Sequence, residues 1–233
     1  MARLARLCPL GIPQHIIQRG NNRQPCFASD EDIAAYASWL SKAANHYKVH
    51  LHAWVFMTNH VHLLATPQEE RAVSKMMQLV GRHYVRYFNH TYQRTGTLWE
   101  GRFKSCLVQE DEYLFYCYRY IELNPVRANM VEHPADYRWS SYHANALGVE
   151  SRLRKLHPLY LELGDTAKDR EEHYRGLFEA HVDNRMIDDI RTATNKGLVL
   201  GNDIFKDAVE ELTGRRVRPQ KRGPKTDKKE FLL

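Results

Sequence analysis

Two short patterns in this chain of 233 residues could do chemistry together. His60-Val61-His62 lies in an apolar stretch that follows a two-residue turn, Thr58-Asn59. Imidazoles at i and i+2 on a strand point to one face, roughly 7 Å apart along it, and can close on one divalent cation. The second pattern is Tyr120, four residues before Asn124-Pro125 at the end of a helix-like run. Residues at i and i+4 of a helix share a face, about 6 Å apart along the axis. A metal that activates a phosphate, with a phenol beside it, makes a site for breaking DNA strands. Two imidazoles do not select the ion; with a phosphate substrate, Mg²⁺ or Mn²⁺ is expected. The missing ligand should be an oxygen, and Asn124 has a side-chain carbonyl to offer.

Each pattern also has a plainer explanation. Thirteen histidines make a chance pair easy. Alternation favours function: Val61, Leu63 and Ala65 can face a core while His60 and His62 face away from it. The helix carries Tyr113, Tyr116, Tyr118 and Tyr120, and aromatic packing accounts for most of them. A phenol titrates near pH 10, so a nucleophilic tyrosine needs a metal or base beside it. Tyr120 shares a stripe with Tyr113, Cys117 and Asn124, and spacing alone leaves Tyr113 and Tyr116 open.

The elements that must hold these residues are legible in outline. Pro13 to Arg19 reads as a strand that ends at Gly20-Asn21-Asn22. A helix capped by Asp30 follows, with Tyr36, Trp39, Leu40 and Ala43 at helical spacing. Val49–Met57 and His60–Ala65 read as a hairpin. Glu69–Asn89 is an amphipathic helix, with Val73, Met76, Met77, Val80 and Tyr84 on its apolar side. A Gly-rich loop, 94–102, leads to a strand at Phe103–Val108 and a third helix at Glu110–Leu123, limited by Pro125. This order predicts an α+β sheet covered by helices. From about 150 to 214 the sequence turns acidic and helix-like, with a cap at Asn202, and is expected to be a small helical extension. Pro219, Gly223 and Pro224 among basic residues suggest a flexible tail over 215–233.

Charge follows the same divisions. Residues 1–104 carry 13 Lys/Arg against 6 Asp/Glu, residues 105–214 carry 13 against 20, and residues 215–229 carry 8 against 1. Basic regions flanking an acidic one point to a polyanion that meets some surfaces and not others. With 43% hydrophobic residues the chain can build a core. No apolar run approaches a membrane span, the start lacks the apolar segment of a signal peptide, and the four cysteines form no C-x-x-C pair. A reducing cytoplasm is the expected location, with no membrane partner.

Three ordered blocks carry a resemblance. Met57-Thr-Asn-His60-Val-His62-Leu-Leu, then Arg94-Thr-Gly-Thr-Leu-Trp-Glu-Gly-Arg-Phe-Lys104, then Tyr118-Arg-Tyr120-Ile-Glu-Leu-Asn124-Pro-Val-Arg127 resemble the HUH single-strand transposases, and within them the REP-associated tyrosine transposases. The likeness runs from about Pro13 to Ala146 and includes Asp136-Tyr-Arg-Trp-Ser-Ser-Tyr142. It implies a ferredoxin-like antiparallel sheet, an HUH transposase domain over residues 1–149, and a bacterial, DNA-associated protein. It also implies that His60 and His62 hold the metal with Asn124, and that Tyr120 is the nucleophile. The expected activity is nicking and joining of single-stranded DNA beside hairpins, such as repetitive extragenic palindromes, through a 5′-phosphotyrosine. Rival readings are a domesticated, non-cleaving hairpin-binding protein and an HUH initiator of replication or transfer. The chain runs some ninety residues past the compact members of the group, which leaves monomer or homodimer open. Arg19 and the Asn21-Asn22-Arg23 turn resemble the part of such proteins that reads bases beside a hairpin. Arg82, Arg86, Arg102 and Lys104 are expected on phosphates, Trp99 on an unpaired base, and Arg215, Arg216, Arg218, Lys221 and Arg222 on DNA through the tail.

Overall fold

The computed structural model describes residues 6–180 and 183–218. Its strands are β1 (Gln14–Arg19), β2 (Val49–Met57), β3 (His60–Pro67), β4 (Lys104–Val108) and β5 (Val199–Leu200), in the spatial order β2-β3-β1-β4-β5. The first four pair antiparallel, and β5 joins β4 in parallel. Two helices, α1 (Asp30–His46) and α2 (Ala72–Thr91), are the crossovers, so the fold is the expected α+β one with a ferredoxin-like order. The α1 cap is Ser29 rather than Asp30: its hydroxyl accepts from the Asp32 amide, and the Asp32 carboxylate accepts the Ser29 amide in return. Thr58-Asn59 closes the hairpin, with Met57 opposite His60.

Both faces of the sheet are covered, and this follows from strand alternation. Ile16, Val61, Leu63 and Ala65 face α1 and α2, in a core with Tyr36, Leu40, Phe56, Met76 and Tyr84. The opposite face, carrying Val55, Leu64 and Cys106, is packed by α3 (Glu112–Glu122) and α8 (Asn184–Lys196), with α5 (Tyr142–Ala146) and α7 (Ala167–Gly176) behind them. His60 and His62 do turn away from the α1/α2 core, as expected, but toward a second packed layer rather than solvent.

The acidic segment after 150 is helical as expected: α6 (Pro158–Leu161), α7, α8 and α9 (Asp203–Thr213), the last capped by Asn202. It is more than an appendage, however. Gly197, in the left-handed conformation at φ 66°, ends α8 and turns the chain into β5 on the sheet edge. The expected tail boundary at 214 also needs correction. Val217 is buried with Leu107, Val199 and Val209, its amide donates to Glu210 Oε1, and its carbonyl accepts from Val199. Apolar burial thus carries packed structure to at least Arg218. Lys221 and Arg222 lie outside the described residues. Among the described residues no helix is long and apolar enough to cross a membrane.

Candidate active site

The site is built at the end of β1 and β3 where α3 and α8 cross them. His15, Ile17 and Arg19 alternate onto the same face of β1 as His60 and His62 of β3, with Ile17 opposite His62 and Arg19 opposite His60. Helix α3 ends at Leu123, where Pro125 starts the short α4 (Asn124–Arg127). Tyr120 and Asn124 therefore sit on two successive helices, yet both line one pocket of about 300 Å³ with His15, His60, His62, Arg19, Arg127, Arg191, Thr194 and Asn195. Of the four tyrosines on α3, Tyr120 lines this pocket; Tyr118 is buried against Tyr174, and Tyr113 and Tyr116 pack on the second core. The Tyr120 ring stands edge-on to His62 at 5.6 Å and to His15 at 5.5 Å between centroids.

Hydrogen bonds orient both imidazoles. Asn59 Nδ2 donates to the Arg23 carbonyl, which leaves its Oδ1 to accept from His60 Nδ1–H at 2.6 Å. His62 Nδ1 lies 2.8 Å from His15 Nε2, and His15 Nδ1 lies 2.7 Å from the Thr194 hydroxyl. Burial, aided by the Arg127 guanidinium, holds His15 down at about 3. Burial and then Arg19 lower His60 to about 4, against a hydrogen bond with Asn124 that raises it. Burial, His15 and His60 together keep His62 well below the ordinary imidazole value. Neutral imidazoles are what a cation requires as ligands. The described residues hold no group of three or more His, Cys, Asp or Glu suited to a metal ion. His60, His62 and the Asn124 amide oxygen nonetheless form an N,N,O donor set around one cavity, which fits a divalent cation such as Mg²⁺ or Mn²⁺.

Several residues of this pocket were not singled out from the sequence. The Arg127 guanidinium stacks 4.4 Å over the Tyr120 ring and donates to the Tyr120 carbonyl, while its Nη1 is buried without a partner. Burial lowers its pKa to about 10, so it stays charged at neutral pH. An oriented cation beside the phenol is a ready partner for a phosphate oxygen. Arg127 lies seven residues after Tyr120, two turns along, so its position was visible in the third block. His15 was visible too, since it shares strand parity with Ile17 and Arg19. Thr194 and Arg191, remote in sequence, gave no signal.

Comparison with known proteins bears on this arrangement. Residues 11–124 match the family model of IS200-like transposases. Over this segment the chain is similar to the IS200-like transposases. The segment includes His60, His62, Tyr120 and Asn124. Among solved structures, the chain is similar to a REP-associated tyrosine transposase bound to a REP hairpin, with 18% identity, a TM-score of 0.54, and coverage of 67% of this chain and 93% of that one. It is also similar to a candidate transposase from Deinococcus radiodurans R1, at 20% identity and a TM-score of 0.36, covering 58% and 98%. The first of these is a likeness of fold. No curated protein matches this sequence.

Around the matched segment, the residues expected on DNA fall into distinct groups. Arg19 reaches the pocket that holds Tyr120. Asn21, Asn22 and Arg23 form an exposed turn beside Asn59, with Asn22 and Arg23 in the left-handed region. Gly20 anchors that turn, since a Cβ there would lie 2.2 Å from the Gln24 carbonyl oxygen. Arg82, Arg86 and Arg102 line a second groove of about 930 Å³ with Arg71 and Lys75. A smaller cleft, sharing Arg19 and Asn195 with the Tyr120 pocket and Arg102 with the groove, connects the two; Lys104 lines it and donates to Asn195 Oδ1. Two expectations need correction. Trp99 is only 7% exposed, packed against Tyr36 and Tyr84, so it anchors the core edge of the groove and offers no open ring face for a base. Arg218 is folded onto α9, paired with Asp207 at 2.8 Å and Glu210 at 3.2 Å, so its charge is already spent on carboxylates. Arg215 and Arg216 precede Val217 on the same packed segment.

Proposed function

We propose that this chain is a metal-dependent endonuclease and strand transferase for single-stranded DNA, acting beside hairpins through a 5′-phosphotyrosine. The observation that carries the reading is the single pocket that gathers His60, His62 and Asn124 around the Tyr120 ring, with Arg127 over that ring. A divalent cation held by His60, His62 and Asn124 would supply Lewis-acid polarisation of the scissile phosphate. Tyr120 Oη attacks the phosphorus: the new O–P bond forms as the bond to the 3′-oxygen breaks, the phenolic proton leaves, and the 3′-oxygen takes up a proton. Arg127 neutralises charge that builds on the phosphoryl oxygens. Attack by another 3′-hydroxyl on the phosphotyrosine reverses these changes and joins new ends, without an external energy source. The basic groove over α2, linked to the pocket through the cleft at Arg19 and Arg102, supports a path for the DNA backbone. A hairpin substrate is favoured by the fold shared with a transposase whose solved complex contains a REP hairpin.

The test incubates the protein and Mn²⁺ with single-stranded hairpin DNA labelled on the strand 3′ to the cut, then resolves products on a denaturing gel. Wild type is expected to form a covalent adduct. Tyr120→Phe, which removes only the phenolic oxygen, should retain hairpin binding and form none. Hairpin binding by wild type with no adduct would favour a non-cleaving binder, and an adduct with Tyr120→Phe would put the nucleophile elsewhere.

A further inference from the structure

We infer that Thr194, acting through His15, fixes the tautomer of His62 and so makes the C-terminal extension a working part of the metal site. Thr194 lies on α8, seventy residues beyond the end of the segment that matches the transposase family. The inference rests on the reading of His62 as a metal ligand, but the hydrogen bonds that carry it are independent of that reading.

The argument starts from a hydroxyl with one proton to give. Thr194 Oγ1 lies 2.7 Å from the carbonyl oxygen of Ile190. Two oxygens at that distance need a hydrogen between them, and a carbonyl brings none, so the Thr194 proton is committed there. The hydroxyl can then only accept from His15 Nδ1, 2.7 Å away, and its other lone pair takes the weaker Cys106 S–H donor at 3.2 Å. His15 thus carries its proton on Nδ1. Its Nε2 faces His62 Nδ1 at 2.8 Å, with the two rings within 5° of parallel, and one proton fits in that gap. His15 is 1% exposed, and the pocket beside it is lined by Arg19, Arg127 and Arg191 and by no carboxylate, so nothing there balances a second proton on the ring. The shared proton therefore belongs to His62 Nδ1, and the lone pair of neutral His62 lies on Nε2, the nitrogen left for the pocket. Asn59 does the same for His60 through a single bond. Ligating histidines are held by such partners on their other nitrogen, and loss of one commonly lowers metal affinity by about 10–100-fold. Thr194 and His15 are positioning residues, since neither needs to touch the substrate.

The experiment reads the tautomer directly. Histidine-selective ¹⁵N labelling and two-bond ¹H–¹⁵N spectra of the metal-free full chain, with His62→Gln for assignment, report which nitrogen of His62 carries hydrogen. Wild type should show an Nδ1–H His62 and an Nδ1–H His15. An Nε2–H His62 in wild type overturns the inference whatever the variants do. Thr194→Val, nearly isosteric, should mix the His62 tautomers and weaken Mn²⁺ binding, measured by electron paramagnetic resonance, about tenfold or more. Thr194→Ser should restore both to within a few-fold. A valine variant that melts as wild type does, with tautomer and Mn²⁺ affinity unchanged, also overturns it. If wild type has the stated tautomer and valine disturbs it, but wild type binds no Mn²⁺ and forms no adduct, the relay stands and the proposed function falls.

Discussion

At the scale of single residues, Arg127 is where the site asks most of one side chain. It stacks on Tyr120, donates to the Tyr120 carbonyl, and keeps one buried N–H without a partner beside the pocket. A lysine would keep the charge and lose the planar fork that can do these things at once. We expect Arg127→Lys to slow single-turnover adduct formation by about 10²-fold, as for loss of one oriented transition-state donor, with hairpin affinity changed far less. Equal losses in rate and affinity would mean that Arg127 only binds DNA. The same scale explains Trp99: its ring was spent on Tyr36 and Tyr84, so an aromatic residue in a basic loop became core.

At the scale of elements, the tyrosine helix is held in place by a buried acid. Glu122 of α3 accepts from Ser141 and Asn145 on one oxygen and from Tyr174 on the other, tying α3 to α5 and α7. Burial raises its pKa to about 7, although those three hydrogen bonds lower it. Between the ordinary carboxylate value and about 7, the folded protein holds a proton that the unfolded chain has released. The stabilisation that comes with this proton is fully present at acid pH and is lost as pH rises through about 7. Glu122→Gln, whose amide never ionises, should escape that loss. We expect the melting temperature of the variant, relative to wild type, to improve between about pH 5 and pH 8, with a span of up to about 3 kcal/mol. A difference independent of pH would show that Glu122 does not titrate in the fold.

At the scale of the whole molecule, the extension and the sheet are one packed body as far as residue 218. Val217 is 1% exposed and Arg218 pairs with three carboxylates on α9. Truncation after Gly214 should therefore lower stability by about 2 kcal/mol, the worth of one buried valine, through an uncovered β5 edge. Truncation after Arg218 keeps the contacts of Val217 and Arg218. It removes Lys221, Arg222, Lys225, Lys228 and Lys229 against Asp227 and Glu230. DNA affinity should then weaken for hairpin and scrambled strands alike, with a shallower dependence on salt, if these charges neutralise phosphates. A salt titration of both strands with both proteins checks this; a loss confined to the hairpin would instead mean that the segment reads shape.

The sequence by itself determined the elements and the strand parity. Periodicity marked β1 to β4 and α1 to α3, and alternation placed His60 and His62 on the face opposite Val61, Leu63 and Ala65, because a strand repeats every two residues whatever surrounds it. Spacing also placed Tyr120 and Asn124 on a common side, and that survives the break at Leu123. Only the tertiary structure decided what fills the second face. Thr194 meets His15 across 179 positions of sequence, and a contact of that range leaves no local pattern to read. Val199 and Leu200 are two residues long as a strand and exist as one only because Leu107 and Val108 lie beside them. The same holds for charge: Arg218 and Arg86 look alike in a basic stretch, and it is the nearby carboxylates of α9 that separate an internal ion pair from a groove-lining cation.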